Sequence, residues 1–338
     1  MRDFDPPPWL RGGHRMTVYA WARPRVFPRL PPPTPRLFDA GPDTRVLAHC
    51  HWQPDAAARP TIVTLHGLEG SSEAHYMRGI ADKAFRAGFN AVRLNQRNCG
   101  GTEHLSPGLY HSGLTSDVQA VLEALAAEGL SSIVVSGYSL GGNLALKLAG
   151  EYGGSPPPWL AAACAVSPTL ELGACMDLLE RPENRLYEWN FMRSLRRRLR
   201  RKARLFPGNY NVRGLWRVRS VRAFDDRFTA PHHGFASAED YYYRAASMRV
   251  VDRISVPTLV ITSEDDPFIA VTPFRDPKVN GNHAITLAIT RYGGHCGFIE
   301  AARDGYDGYR AEREIVEFAA RHVPAALLPS GGGVRVGA

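Results

Sequence analysis

The sequence predicts an α/β fold: a mostly parallel central sheet flanked by helices, with a mainly helical cap inserted before the last two core strands. Three observations predict it. Apolar runs of about five to seven residues alternate with helical patterns from Thr61 onward, as expected of strands buried on both faces. That alternation stops for about 90 residues after Val166 and then resumes, a gap too long for an ordinary connection. The 338 residues, 44% hydrophobic and 22% charged, suffice for one α/β core carrying an insertion.

The elements follow in order. Residues 1–58 carry two proline clusters (Pro6, Pro7 and Pro8; Pro31, Pro32, Pro33 and Pro35). They are expected to form an extended arm with a short edge hairpin near Arg45 to Trp52. The core, expected over 59–168 and 250–325, begins with the strand TIVTL (61–65), a Gly-containing loop, a helix from Glu73 to Arg86 and FNAVRL (89–94). A helix from Thr115 to Ala127, the strand IVVSG (133–137), a helix from Leu140 to Glu151 and LAAACAV (160–166) continue it. Residues 169–249 form the cap, because aromatic residues such as Tyr187, Phe191, Trp216 and Phe224 need an interior. The core resumes at PTLVITS (257–263), AITLAIT (284–290) and a closing helix near Gly308 to Arg321. The tail, 326–338, with Gly331, Gly332 and Gly333, is expected to be disordered.

Composition narrows the function classes. Cys50, Cys99, Cys164, Cys175 and Cys296 are scattered, without CxxC or Cys/His ligand spacing, which fits a reduced compartment and no metal site. Neither a signal peptide nor an apolar run long enough to span a bilayer is present, so a soluble cytoplasmic protein is expected. The formal charge of +8 is almost all arginine, since lysine occurs only at Lys83, Lys147, Lys202 and Lys278. This reads as coding bias rather than a nucleic-acid surface, and no nucleic-acid partner is expected. No glycine-rich phosphate loop is found, so no cofactor is expected.

Chemistry concentrates in GYSLGG (137–142). Ser139 lies between an apolar strand and an uninterrupted helical pattern, where a tight turn would strain its backbone and lift the hydroxyl clear of the sheet. Gly137 and Gly141 are small because any Cβ there would strike neighbouring backbone. A hydroxyl needs a base to remove its proton in the transition state, and in this strand–turn–helix context the chain order is serine, acid, histidine. His295, in YGGHCGF directly after the last strand, fits as the base; Gly293, Gly294 and Gly297 would give its loop the freedom to aim the ring. The imidazole needs a carboxylate on its far nitrogen, and SEDDPF (263–268) follows the preceding strand. Asp266, just before Pro267, is the choice; Asp265 is the alternative, with Glu264 third. Oxyanion donors are expected from the amides of Leu140 and Leu68, the latter in LHGLEGSS. His66 reads as a structural hydrogen bonder. His104, His111, His232 and His233 read as rim or surface residues.

HGLEGS, NQRNCGG with LYHSG, GYSLGGN, FDDRFTAPHHGF with DYYYRAAS, DDPF and GGHCGF, in this order and with WLRGGH near the start, together resemble the YheT-like branch of the α/β-hydrolases, related to the ABHD-type hydrolases. The resemblance spans nearly the whole chain. It implies the α/β-hydrolase fold, a Ser139–His295–Asp266 triad and serine esterase activity on short acyl esters or lipids. The chain departs from the branch at its RGC or RGxxG loop, which here reads RNCGG (Arg97–Gly101). Acyl transfer or thioester hydrolysis would use the same triad. A non-catalytic binding protein normally lacks a triad member, and none is missing.

Within the cap, MRSLRRRLRRKARLF (192–206) places Met192, Leu195, Leu199 and Phe206 near one helical face and arginine over most of the rest. One reading is a lid helix making weak contact with an anionic membrane surface. The other, preferred, is a solvated cap helix whose apolar stripe packs on the core.

Overall fold

A computed structural model describes residues 4–303 and 305–329. Its eight strands are β1 (Thr34–Gly41), β2 (Thr44–His51), β3 (Thr61–Leu65), β4 (Asn90–Leu94), β5 (Ile133–Tyr138), β6 (Leu160–Val166), β7 (Thr258–Ser263) and β8 (Ile285–Thr290). They form one sheet in the order β1-β2-β4-β3-β5-β6-β7-β8. Strands β3 to β8 pair in parallel, whereas β2 runs antiparallel to both β1 and β4.

The largely apolar character of the central strands has a direct cause: each faces a packed layer on both sides. In β3, Ile62 enters one cluster with Ile80, Ala84, Ile315 and Phe318, and Val63 and Leu65 enter the other with Val121, Leu122, Leu144 and Leu148. Helices α2 (His75–Arg86) and α11 (Arg310–His322) therefore cover one face, and α3 (Thr115–Ala127) and α4 (Leu140–Tyr152) the other. The helix α1 (Gly13–Ala22) precedes them all. Between β6 and β7 lie α5 (Leu172–Leu179), α6 (Arg185–Leu205), α7 (Val221–Phe224), a π-helical turn at Asp225–Thr229, α8 (Ala230–His232) and α9 (Ala238–Ala245). The short α10 (Pro277–Asn280) precedes β8.

Two expectations at the chain ends need correction. Residues 1–58 are not merely an extended arm: β1 and β2 make a longer hairpin turning at Asp43, which takes φ +48°, and α1 buries Met16, Thr17 and Ala20. The prolines flank α1 rather than interrupt it, leaving GHRMTVYAWA free to coil. Arg25, just beyond it, pairs with Asp307 (2.7 Å) and Glu312 (2.5 Å), which also hold Lys83 of α2. At the other end, Ala325–Leu327 form a 3₁₀ turn, and 330–338 of the expected disordered tail lie outside the described residues.

Candidate active site

Ser139 sits at the junction of β5 and α4 with φ +55° and ψ −118°, a conformation that costs a non-glycine residue roughly 1–3 kcal/mol and persists only where its surroundings fix it. The fixation is visible. The Ser139 N–H donates to Val166 O (2.9 Å), and its carbonyl accepts from Asn143 (3.0 Å) and Thr169 (3.4 Å). A Cβ on Gly137 would lie 2.0 Å from Gly141 O, and one on Gly141 would lie 2.4 Å from Leu65 O. Both contacts are with backbone, which cannot swing away.

The loop after β7 delivers Asp266, and the loop after β8 delivers His295. Asp266 Oδ2 and Oδ1 lie 3.0 and 3.2 Å from His295 Nδ1. Oδ1 also accepts from the amides of Phe268 (2.9 Å) and Ile269 (3.1 Å), which fix the carboxylate's orientation. Burial alone would lower the His295 pKa; the Asp266 carboxylate, aided by Cys296, outweighs burial and holds it well above the ordinary imidazole value. Asp265 does something different: its Oδ1 accepts from Gly294 N (2.9 Å), pinning the histidine loop. Glu264 is half exposed and pairs with Arg275.

The three glycines around His295 serve close packing as well as the expected backbone freedom, which Gly294 uses at φ +53°. A Cβ on Gly293 would fall 2.5 Å from the Phe298 ring, one on Gly294 would meet Gly13 O at 2.6 Å, and one on Gly297 would meet Met16 at 2.8 Å. Two of these neighbours belong to α1. The same helix offers Thr17 Oγ1 to His295 N (2.8 Å), and a Cβ on Gly13 would overlap Asp265 O at 1.7 Å. The N-terminal helix thus buttresses both loops. Its sequence signal was a helical stretch opened by paired glycines, obscured by the prolines around it.

Ser139, His295, Leu68 and Leu140 all line one cavity, open in part to solvent. Leu140 is the first residue of α4, so its amide has no intrahelical acceptor. Among the described residues, neither the Leu68 nor the Leu140 amide donates a hydrogen bond, whereas Gly67 N is taken by Tyr76 Oη and Glu69 N by Tyr110 Oη, both at 3.0 Å. His66 is fully buried; its Nε2 accepts from Gln96 N (3.1 Å), its Nδ1 donates to Gly67 O (2.8 Å), and burial lowers its pKa to about 4.

Sequence reasoning missed two further groups. Glu69, at φ +57° beside Leu68, pairs with Arg198 of α6 at 3.2 Å. Arg198 also donates to Cys99 Sγ (2.7 Å) and lies over the Tyr110 ring (5.1 Å). The RNCGG loop therefore supplies an acceptor to the cap. Asn143, the last residue of GYSLGGN, donates to Ser112 O and Ala245 O (both 2.9 Å) and accepts from Ser247 N (2.7 Å), tying α4 to two distant motifs. The His111 and His233 rings lie 4.3 Å apart between centres, tilted by 56°; burial lowers the His111 pKa to about 2.

A strained serine between a central strand and a helix, with a histidine–carboxylate pair carried by later strands, is the arrangement that defines an α/β-hydrolase. Residues 60–300 match the alpha/beta hydrolase fold family. The chain is 35% identical to YheT of Escherichia coli (strain K12) over 282 residues, 82% of each chain. It is 32% identical to the mouse (Mus musculus) phospholipase ABHD3 over 250 residues, 73% of this chain and 60% of that protein. Among solved structures, the Pyrococcus furiosus esterase Pf2001 superposes with a TM-score of 0.57 at 14% identity, covering 89% of this chain and 99% of that one. The chain belongs to the α/β-hydrolase family, in its YheT-like branch, and is a hydrolase of that superfamily.

Proposed function

We propose that the chain is a serine carboxylic-ester hydrolase working through an acyl-enzyme. Ser139 Oγ attacks the ester carbonyl as His295 takes its proton. The bond to the leaving alkoxide then breaks as the imidazolium returns that proton to it, releasing an alcohol. Water attacks the acyl-enzyme by the same route, releasing the acid and regenerating Ser139. Asp266 fixes the tautomer with the proton on Nδ1 and stabilises the imidazolium. The amides of Leu68 and Leu140 receive the oxyanion, each such donor being worth about 3 kcal/mol in the transition state.

The observation that carries this reading is the cavity itself: a strained serine and a carboxylate-held histidine share it with two unengaged amides. Its remaining wall is largely apolar, with Leu172, Met176, Leu179, Leu195, Phe224 and Ile269. Such a wall suits the acyl chain of a short- to medium-chain or lipid ester. The relative ABHD3 is named a phospholipase, in keeping with a lipid ester.

A series of p-nitrophenyl esters of rising chain length tests the proposal. The reading predicts turnover that rises with chain length until the cavity is filled, with free acid as product. Absence of turnover across the series would reject it. Ester products formed with an added alcohol, in place of acid, would identify an acyltransferase.

A further inference from the structure

Helix α6 has two working faces. Leu195, Arg198 and Leu199 line the cavity from one side, and Met192 and Lys202 are buried with them. The opposite face carries Leu186, Trp189, Arg193, Arg197, Arg200 and Arg204, all exposed. At 100° per residue these six fall within one narrow stripe, roughly 27 Å long at 1.5 Å per residue. The expectation of a packed apolar stripe holds for the inner face, and it leaves this outer one unexplained.

Two properties of the outer stripe point to a lipid surface. First, its charges are free: Arg198 and Arg201 pair with Glu69 and Glu103, whereas among the described residues Arg193, Arg197, Arg200 and Arg204 have no carboxylate partner. Second, the stripe begins with large apolar groups left mostly exposed, Leu186 at 81% and Trp189 at 60% exposure, with Arg193 over the Trp189 ring. Trp216, 63% exposed, belongs to the neighbouring segment that Arg196 ties to α6 through Val218 O. Exposed tryptophan beside unpaired arginine suits a bilayer interface, where the indole sits among headgroups and the guanidinium meets lipid phosphate. A solvated helix needs neither.

We infer that the outer stripe of α6 docks the protein on an anionic lipid bilayer and so brings the cavity roofed by α6 to the membrane surface. The docking does not depend on the proposed chemistry, and Ser139→Ala protein should bind as wild type does. Each arginine near an anionic surface contributes about fivefold in partitioning.

The test is co-sedimentation of Ser139→Ala protein with vesicles of phosphatidylcholine alone or mixed with phosphatidylglycerol. Binding should require phosphatidylglycerol and fall as salt is added. Combining Arg193→Gln, Arg197→Gln, Arg200→Gln and Arg204→Gln should weaken binding by roughly two to three orders of magnitude. Trp189→Ala should weaken binding while leaving its salt dependence in place. In the Ser139-intact background neither variant should change hydrolysis of a water-soluble ester. Equal binding to both vesicle types, no binding at low salt, or full binding by the fourfold variant would overturn the inference. A single-stranded oligonucleotide that binds more tightly than the vesicles would overturn it in favour of a nucleic-acid surface.

Discussion

Asp266→Asn separates the two neighbouring carboxylates by their chemistry. Asparagine keeps an oxygen for the Phe268 and Ile269 amides, now held at 2.9 and 3.1 Å. That constraint turns its NH₂ toward His295 Nδ1, where an oxygen now sits at 3.0 Å. Two donors cannot share that contact, so the imidazole must take the tautomer with its proton on Nε2, the wrong one to accept a proton from Ser139. The expected loss in kcat is on the order of 10⁴, about 5.4 kcal/mol of transition-state stabilisation. The pH profile adds a second readout. Asp266 raises the His295 pKa above its ordinary value, so wild-type kcat/KM should rise with pH through that raised value, where the neutral base appears. Removing the charge favours the neutral imidazole, and the residual activity of the variant should rise at lower pH. Asp265→Asn can still accept from Gly294 N and should lose less than about tenfold. The assay is kcat/KM for a soluble ester from acid to alkaline pH, with Tm checked for each variant. A loss below tenfold for Asp266→Asn, an unmoved acidic limb, or a larger loss for Asp265→Asn would refute the assignment.

Gly141→Ala places a Cβ 2.4 Å from Leu65 O and should destabilise the fold by about 3 kcal/mol or more, read by urea unfolding; a cost under about 1 kcal/mol would contradict the packing described. Arg198→Met strands Glu69 in a buried position and should cost about 3–5 kcal/mol of stability. It should also lower kcat more than it raises KM, because Leu68 adjoins Glu69; adding Glu69→Gln should restore much of the stability, and unchanged kinetics would dissociate the pair from Leu68. Burial raises the Asp225 pKa from 3.8 to about 6 despite hydrogen bonds from Thr229 and Tyr242. A raised folded pKa means a contribution fully present below 3.8 and lost as pH climbs through about 6, on the order of 2–3 kcal/mol. Asp225→Asn should remove that slope from unfolding free energies measured over this window, and a difference between the two proteins that does not vary with pH would refute it.

The parallel core was legible because its central strands are buried on both faces and so are apolar at most positions, as in TIVTL and LAAACAV. The GxSxG glycines were legible for a steric reason that the turn geometry bears out, since each Cβ would land on backbone. Chain order then placed the acid and the histidine on late loops. The contribution of α1 was hidden because its contacts, Thr17 to His295 and Gly13 against Asp265, join positions more than 240 residues apart, and spacing says nothing about such pairs. Proline-rich flanks made that helix read as extended chain. The Glu69–Arg198 pair was equally hidden, because α6 looks uniformly basic until packing singles out which arginine turns inward.

The most direct measurement is active-site labelling with a fluorophosphonate followed by peptide mapping. The account predicts one phosphonylated residue, Ser139, with labelling abolished in Ser139→Ala and strongly slowed in His295→Ala protein of unchanged Tm. Label on any other residue, or undiminished labelling of the His295→Ala protein, would contradict it.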